Sequence, residues 1–91
     1  MYNDPALTEQ MVPTLTRVAN TGPRPMGLDL VPKVTGAEDF SFFQRLIPGL
    51  FFFVGVTPRE QNPLSAASNH SPLFFVDESA LPMGQRAFAR V

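Results

Sequence analysis

The side chains able to bind a metal or move a proton are few, and the most suggestive lie in two short stretches. His70, the one histidine, sits in Ser68-Asn69-His70-Ser71-Pro72, at the end of a long polar stretch. A neutral imidazole can ligate a metal or carry a proton near neutral pH. A lone histidine in a loop is also an ordinary surface residue, and the sequence leaves both readings open. One imidazole cannot build a zinc centre alone, because a catalytic site takes about three protein ligands. The second stretch is Gly36-Ala37-Glu38-Asp39. Its carboxylates could meet a substrate or a metal, or act in acid–base catalysis if a pKa is tuned. Adjacent acids are equally at home in a first helical turn, where the dipole favours negative charge. Gly36 could make a turn or let the backbone approach a ligand closely.

Other chemistries are excluded by what is missing. There is no cysteine, so disulfides and thiolate metal sites are ruled out. Ser41, Ser71 and Ser79 sit in no Gly-x-Ser-x-Gly elbow, and no glycine-rich phosphate loop occurs. Phe40, Phe42, Phe43 and the Phe51-Phe52-Phe53 run could line an acyl pocket, but core packing is their commoner use. A net charge of −1 with no basic cluster gives nucleic acid no electrostatic footing. The longest apolar run, residues 50–56, is far below the roughly 20 residues that cross a bilayer. Residues 1–10 hold no basic-apolar leader. A soluble protein with no nucleic-acid or membrane partner is expected. The absent cysteine fits a reducing compartment, so the cytoplasm is the expected location.

The elements that would position these residues can be read in outline. Asp4 can cap a helix with Pro5 at its first position. Leu7, Met11, Leu15 and Val18 then recur at helical spacing, which predicts a helix over Pro5–Ala19. Pro13 should bend it. Asn20-Thr21-Gly22-Pro23 ends it. A short strand near residues 28–31 is possible at an edge. Residues 36–46 suggest a short helix with Phe40, Phe43 and Leu46 on one side. Residues 50–56 read as a strand buried on both faces, with aromatic and β-branched side chains throughout. Residues 57–72 form a long polar loop, and loops of that length are often functional. Residues 73–76 suggest another short strand. Asp77 should cap a last helix whose inner stripe is Leu81, Gly84, Phe88 and Val91.

The expected fold is therefore α/β, with about three helices and a few short strands, including the buried strand at 50–56. Charged residues are only 16%, against about a quarter in an ordinary globular domain. A free-standing domain of 91 residues should carry more charge on its large relative surface. The composition suits part of a larger core. The uncovered apolar strand likewise suggests a partner surface.

The order of the motifs carries a resemblance. Gly36-Ala37-Glu38-Asp39-Phe40-Ser41-Phe42-Phe43 precedes Ile47-Pro48-Gly49-Leu50-Phe51-Phe52-Phe53-Val54-Gly55. Then come Asn69-His70-Ser71-Pro72 and the stretch from Phe75-Val76-Asp77-Glu78 to Pro82-Met83-Gly84. Together with Tyr2-Asn3-Asp4-Pro5-Ala6-Leu7, this series resembles the carboxy-terminal part of the hippurate hydrolase, aminoacylase and auxin-conjugate amidohydrolase family of two-metal metallopeptidases. The resemblance implies residues 1–91 as the end of an aminopeptidase-like catalytic domain, with the lid domain and the amino-terminal metal-site half absent. It implies hydrolysis of the amide bond of N-acyl amino acids with two divalent ions, zinc or manganese. It makes His70 a metal ligand and places Gly36, Glu38 and Asp39 near the substrate pocket. The other ligands and the general-base glutamate would lie outside this chain. The chain alone should then be inactive and hold no metal tightly, and its partner would be the missing amino-terminal part or a second copy. The competing expectation is a small non-catalytic module that self-associates through the faces of residues 50–56.

Overall fold

A computed structural model describes residues 1–91. Its elements are α1 (Pro5–Ala19), α2 (Phe40–Gln44), a 3-10 turn at Glu78–Ala80 and α3 (Leu81–Arg90), and it contains no β-strand. The expectation of an α/β domain is overturned: the chain is helical, and the strands read at 28–31, 50–56 and 73–76 do not form.

The first helix follows from its sequence. The Asp4 carboxylate accepts the Leu7 amide at 2.8 Å, satisfying one of the free donors of the first turn. Pro5 has no N–H to lose there. Leu15, Val18 and Ala19 are buried, Leu7 and Met11 are half-buried, and Pro13 faces solvent. At the far end the Met26 amide returns to the Ala19 carbonyl at 2.8 Å. The reversal runs through Gly22 at φ +97°, a conformation in which a side chain is strained. A Cβ there would also stand 2.7 Å from the Arg86 guanidinium, which donates to the Thr21 carbonyl at 3.1 Å.

The last helix packs on α1 with a different face from the one its large residues suggest. Ala80, Met83 and Ala87 are buried, while Leu81, Phe88 and Val91 are exposed, Phe88 at 83%. The true inner stripe is 80, 83, 84 and 87, a complete i, i+3, i+4, i+7 set. Small residues win that face because the neighbouring segment lies close. A Cβ built on Gly84 would already stand within ordinary contact distance of the Val54 methyls, which leaves no room for a phenylalanine ring. The core of Leu15, Val18, Met83 and Ala87 is covered further by Met11, Met26, Leu50, Phe52 and Val54.

Residues 50–56 therefore do pack, but on one side and without a ladder. Leu50, Phe52 and Val54 lean on the helical core. Phe51 and Phe53 stack edge-to-face at 5.3 Å, and Phe51 meets Phe40 at 5.9 Å. Side chains alternate as in a strand, yet no second strand offers main-chain partners, so no sheet exists. The Asn3 side chain takes one place that a strand would occupy: its amide donates to the Phe51 carbonyl at 2.8 Å and accepts the Phe51 amide at 2.7 Å. The short second helix is smaller than expected. Of Phe40, Phe43 and Leu46, only Phe40 is half-buried.

Gly84 lies inside a helix with an ordinary backbone, and an added Cβ would meet Val54 no closer than 3.6 Å. Gly84→Ala should stabilise the chain by about 0.5–1 kcal/mol through helix propensity alone. Urea unfolding followed by circular dichroism measures it, and a loss of stability would show that the α3–Val54 contact is tighter than described.

Candidate functional site

His70 lies where the sequence puts it, in an exposed loop. Around it the chain makes tight turns, with the Ser71 amide on the Ser68 carbonyl at 2.9 Å and the Phe74 amide on the Ser71 carbonyl at 3.1 Å. The imidazole makes no side-chain hydrogen bond within the chain. Gly36, Glu38 and Asp39 are exposed as well. Glu38 and Asp39 stand at the start of α2, where their carbonyls accept the Ser41 and Phe42 amides at 3.0 Å each. The Asp39 carboxylate caps nothing. Gly36 has no left-handed backbone, and an added Cβ there would meet no atom of the chain within 4 Å, so nothing in the chain's own packing requires glycine at this position.

These residues do not assemble a metal centre. No three His, Cys, Asp or Glu side chains of the chain converge as a cation would require. One exposed imidazole does not fit a divalent ion by itself, so no chemical step can be written through a metal on this chain. Two clefts lie elsewhere. One of about 290 Å³ is bordered by Tyr2, Asp4, Gln44, Arg45 and Gly49. Another of about 580 Å³ runs along α1 past Glu9 and Val12 to Leu28 and Leu30. Neither touches His70, Gly36, Glu38 or Asp39.

A polar cluster around a buried guanidinium lies at the neck of the His70 loop. Arg24, only 10% exposed, forms an ion pair with Asp77. It donates to the Ser79 hydroxyl at 3.0 Å and to the Thr57 carbonyl at 2.9 Å. Its Nε is buried without a partner. Beside it the Asp77 amide donates to the Val56 carbonyl at 2.8 Å, and Arg59 donates to the Pro25 carbonyl at 2.9 Å. The two ends of the loop are thus closed on each other through one guanidinium.

Comparison with known proteins gives the chain its relatives. It is 42% identical over 62 residues to IAA-amino acid hydrolase ILR1-like 6 of Arabidopsis thaliana, covering 68% of this chain and 13% of that protein. It is 53% identical over 49 residues to ILR1-like 4 of the same plant, covering 54% of this chain and 11% of that protein. It is 34% identical over 87 residues to Thermostable carboxypeptidase 2 of Saccharolobus solfataricus, covering 96% of this chain and 20% of that protein. The matched stretch belongs to the auxin-conjugate amidohydrolase family. The chain spans about a tenth to a fifth of the length of these relatives. No family model matches it, and no solved structure does. No helix of the chain is long and apolar enough to cross a membrane.

Within this amidohydrolase stretch, sequence reasoning missed Arg24 and half of what Asn3 does. Asn3 reads as part of a helix start but also holds Phe51. The available signal for Arg24 was its setting, Gly22-Pro23-Arg24-Pro25, one cation held between two prolines in a chain of low charge. Asp77 was read as a helix cap, and its carboxylate does accept the Ser79 amide at 3.0 Å.

The Asp77 carboxyl titrates below the usual carboxylate range. The Ser79 hydroxyl is the largest cause and the Ser79 amide the next, with the Arg24 and Arg59 charges adding to them and burial opposing. A pKa lower in the folded than in the unfolded chain contributes stability above the unfolded value. That contribution disappears as pH falls through the folded value. The advantage of the native chain over Asp77→Asn in thermal unfolding should be complete above about pH 4 and shrink steadily below it. A difference that stays flat from neutral to strongly acid pH would show that the Asp77 charge does not matter.

Proposed function

We propose that this chain supplies one part of a metal-dependent amidohydrolase that cleaves the amide bond of N-acyl amino acids, hippurate-like conjugates among them. In this reading His70 is one ligand of a two-ion centre, zinc or manganese, whose other ligands come from polypeptide outside these 91 residues. Gly36, Glu38 and Asp39 border the substrate pocket of the completed site. The observation that carries the reading is the identity of 42% over 62 residues to a hydrolase named for its auxin–amino acid substrate. The similarity to a carboxypeptidase over 96% of the chain supports amide-bond cleavage in general. The absence of cysteine suits the cytoplasm as the working compartment.

The chain's own contribution is limited and specific. It offers an imidazole on a loop closed at its neck, together with carboxylates at a helix start. It offers no general base in contact with a metal site, so turnover by the chain alone is not part of the reading.

A chimera tests it. In the Saccharolobus carboxypeptidase, the 87 matched residues are replaced by this chain, and hydrolysis of peptides and N-acyl amino acids is followed with zinc or manganese. The chimera should be active, and His70→Ala within it should lower kcat/KM roughly 100-fold or more, as loss of a metal ligand does. Undiminished activity of the His70→Ala chimera would remove His70 from the metal site. An inert chimera would count against equivalence of the two stretches.

A specific observation favours partner binding in either reading. Only eight of 91 residues are buried, while Leu46, Leu64, Leu73 and Phe88 are each more than 80% exposed. Exposed apolar surface of this kind marks an interaction face. We propose that the face is covered by the rest of the enzyme and, when the chain is alone, by a second copy. Sedimentation at micromolar concentration should then show species above 10.0 kDa. A monodisperse monomer would argue against self-association, including the alternative of a non-catalytic self-associating module.

A further inference from the structure

The loop at 57–76 has an unusual distribution of hydrogen bonds. Within it they are local: Gln61 to Pro58, Ser65 to Asn62, Ser71 to Ser68 and Phe74 to Ser71. Such bonds shape turns but do not fix the loop relative to the helices. Every hydrogen bond between the loop and the rest of the chain lies at its two ends. The leading end is held by Arg24 on the Thr57 carbonyl and by Arg59 on the Pro25 carbonyl. The trailing end is held by the Asp77 amide on the Val56 carbonyl, and Arg24 bonds to Asp77 and Ser79 just beyond it. Arg24 is the one side chain that grips both ends.

We propose that Arg24 is a positioning residue: it closes the neck of the loop and so holds the His70-bearing turn at a fixed place relative to α1 and α3. The planar guanidinium suits this task, since its several donors diverge at fixed angles and can serve a carboxylate, a hydroxyl and a carbonyl together. A lysine ammonium could keep the charge pairing with Asp77 but not span all three acceptors in one geometry. The Arg24 side chain is only 10% exposed, so its terminal nitrogens are met by protein acceptors rather than by solvent, while its Nε is left without a partner. The lowered carboxyl of Asp77 reflects first its Ser79 hydrogen bonds, with the Arg24 charge a smaller contribution in the same direction. The consequence for a metal site rests on His70 being a ligand, as proposed above; the closure of the neck does not.

The chain has no cysteine, so paired nitroxide labels can be placed without background. In the full chain, one pair is put at Gln10→Cys and Ser68→Cys, from the exposed side of α1 to the loop beside His70. A control pair at Gln10→Cys and Gln85→Cys spans α1 and α3. Pulsed dipolar spectroscopy reads the width of each distance distribution. Arg24→Met should widen the 10–68 distribution roughly twofold or more, as expected of local opening, and leave the 10–85 distribution unchanged. Arg24→Lys should give an intermediate width. If Arg24→Met does not fold, Arg24→Lys and Asp77→Asn carry the same comparison. A 10–68 distribution that stays narrow in every folded variant would overturn the proposal. So would an equal widening of both pairs, because Arg24 would then act on the whole core. These measurements contain no metal, and the chimera assay leaves Arg24 intact, so the neck and the His70 assignment fail separately.

Discussion

The packing of α3 against the end of α1 is the contact on which the remaining structure depends. Leu15, Val18, Met83 and Ala87 make up the one buried cluster, and residues 50, 52 and 54 cover it from the side. A core of this size excludes water from few side chains, and a leucine, valine or methionine contributes about 1.5–3 kcal/mol when fully buried. The chain therefore has little margin, and its polar clamps matter in proportion. Asn3 fixes Phe51, Gln44 holds the Gly49 carbonyl and the Tyr2 amide, and Arg86 holds the Thr21 carbonyl. Arg86 ties the turn after α1 to α3, while Asn3 and Gln44 tie the start of the chain and α2 to residues 49–51.

The same economy explains why the loop of His70 is anchored where it is. The loop offers no apolar side chain to the core cluster, and Pro58 at its leading end is its one buried residue. Beyond that residue its position comes from directional bonds at its ends. A guanidinium is among the few groups able to supply several such bonds from one buried place. Asp77 joins the two systems, because it caps the turn leading into α3 and also pairs with Arg24. Loss of Asp77 leaves the Arg24 guanidinium, only 10% exposed, without its counter-charge, which is more damaging than the pair is stabilising.

How much of this was legible in the sequence varied with how local the signal was. The first helix was readable over its full span, because Asp4, Pro5 and the 7-11-15-18 stripe are local signals that tertiary packing did not contradict. The last helix was readable in place but not in phase. Phe88 and Val91 looked like core by hydrophobicity, whereas the buried face is Ala80, Met83, Gly84 and Ala87, chosen by how near Val54 stands. Residues 50–56 showed the composition of a buried strand, but composition cannot say whether a partner strand exists, and here none does. Of the site, the sequence located His70 in a loop and Glu38 and Asp39 at a helix start. It did not reveal Arg24, because a side chain that bonds residues 33 and 55 positions away leaves no periodic trace.

The low charge and the exposed phenylalanines point the same way as the comparisons. The matched stretches cover 11–20% of the length of the relatives at 34–53% identity. Phe42, Phe43, Phe53 and Phe75 are more than 60% exposed here, and the core does not need them. In a free-standing domain such residues would favour aggregation and gain nothing in stability. Their presence is intelligible if they meet apolar surface supplied by other polypeptide. The His70 imidazole is exposed in the same way, on a loop that makes no hydrogen bond to the helical core except at its ends.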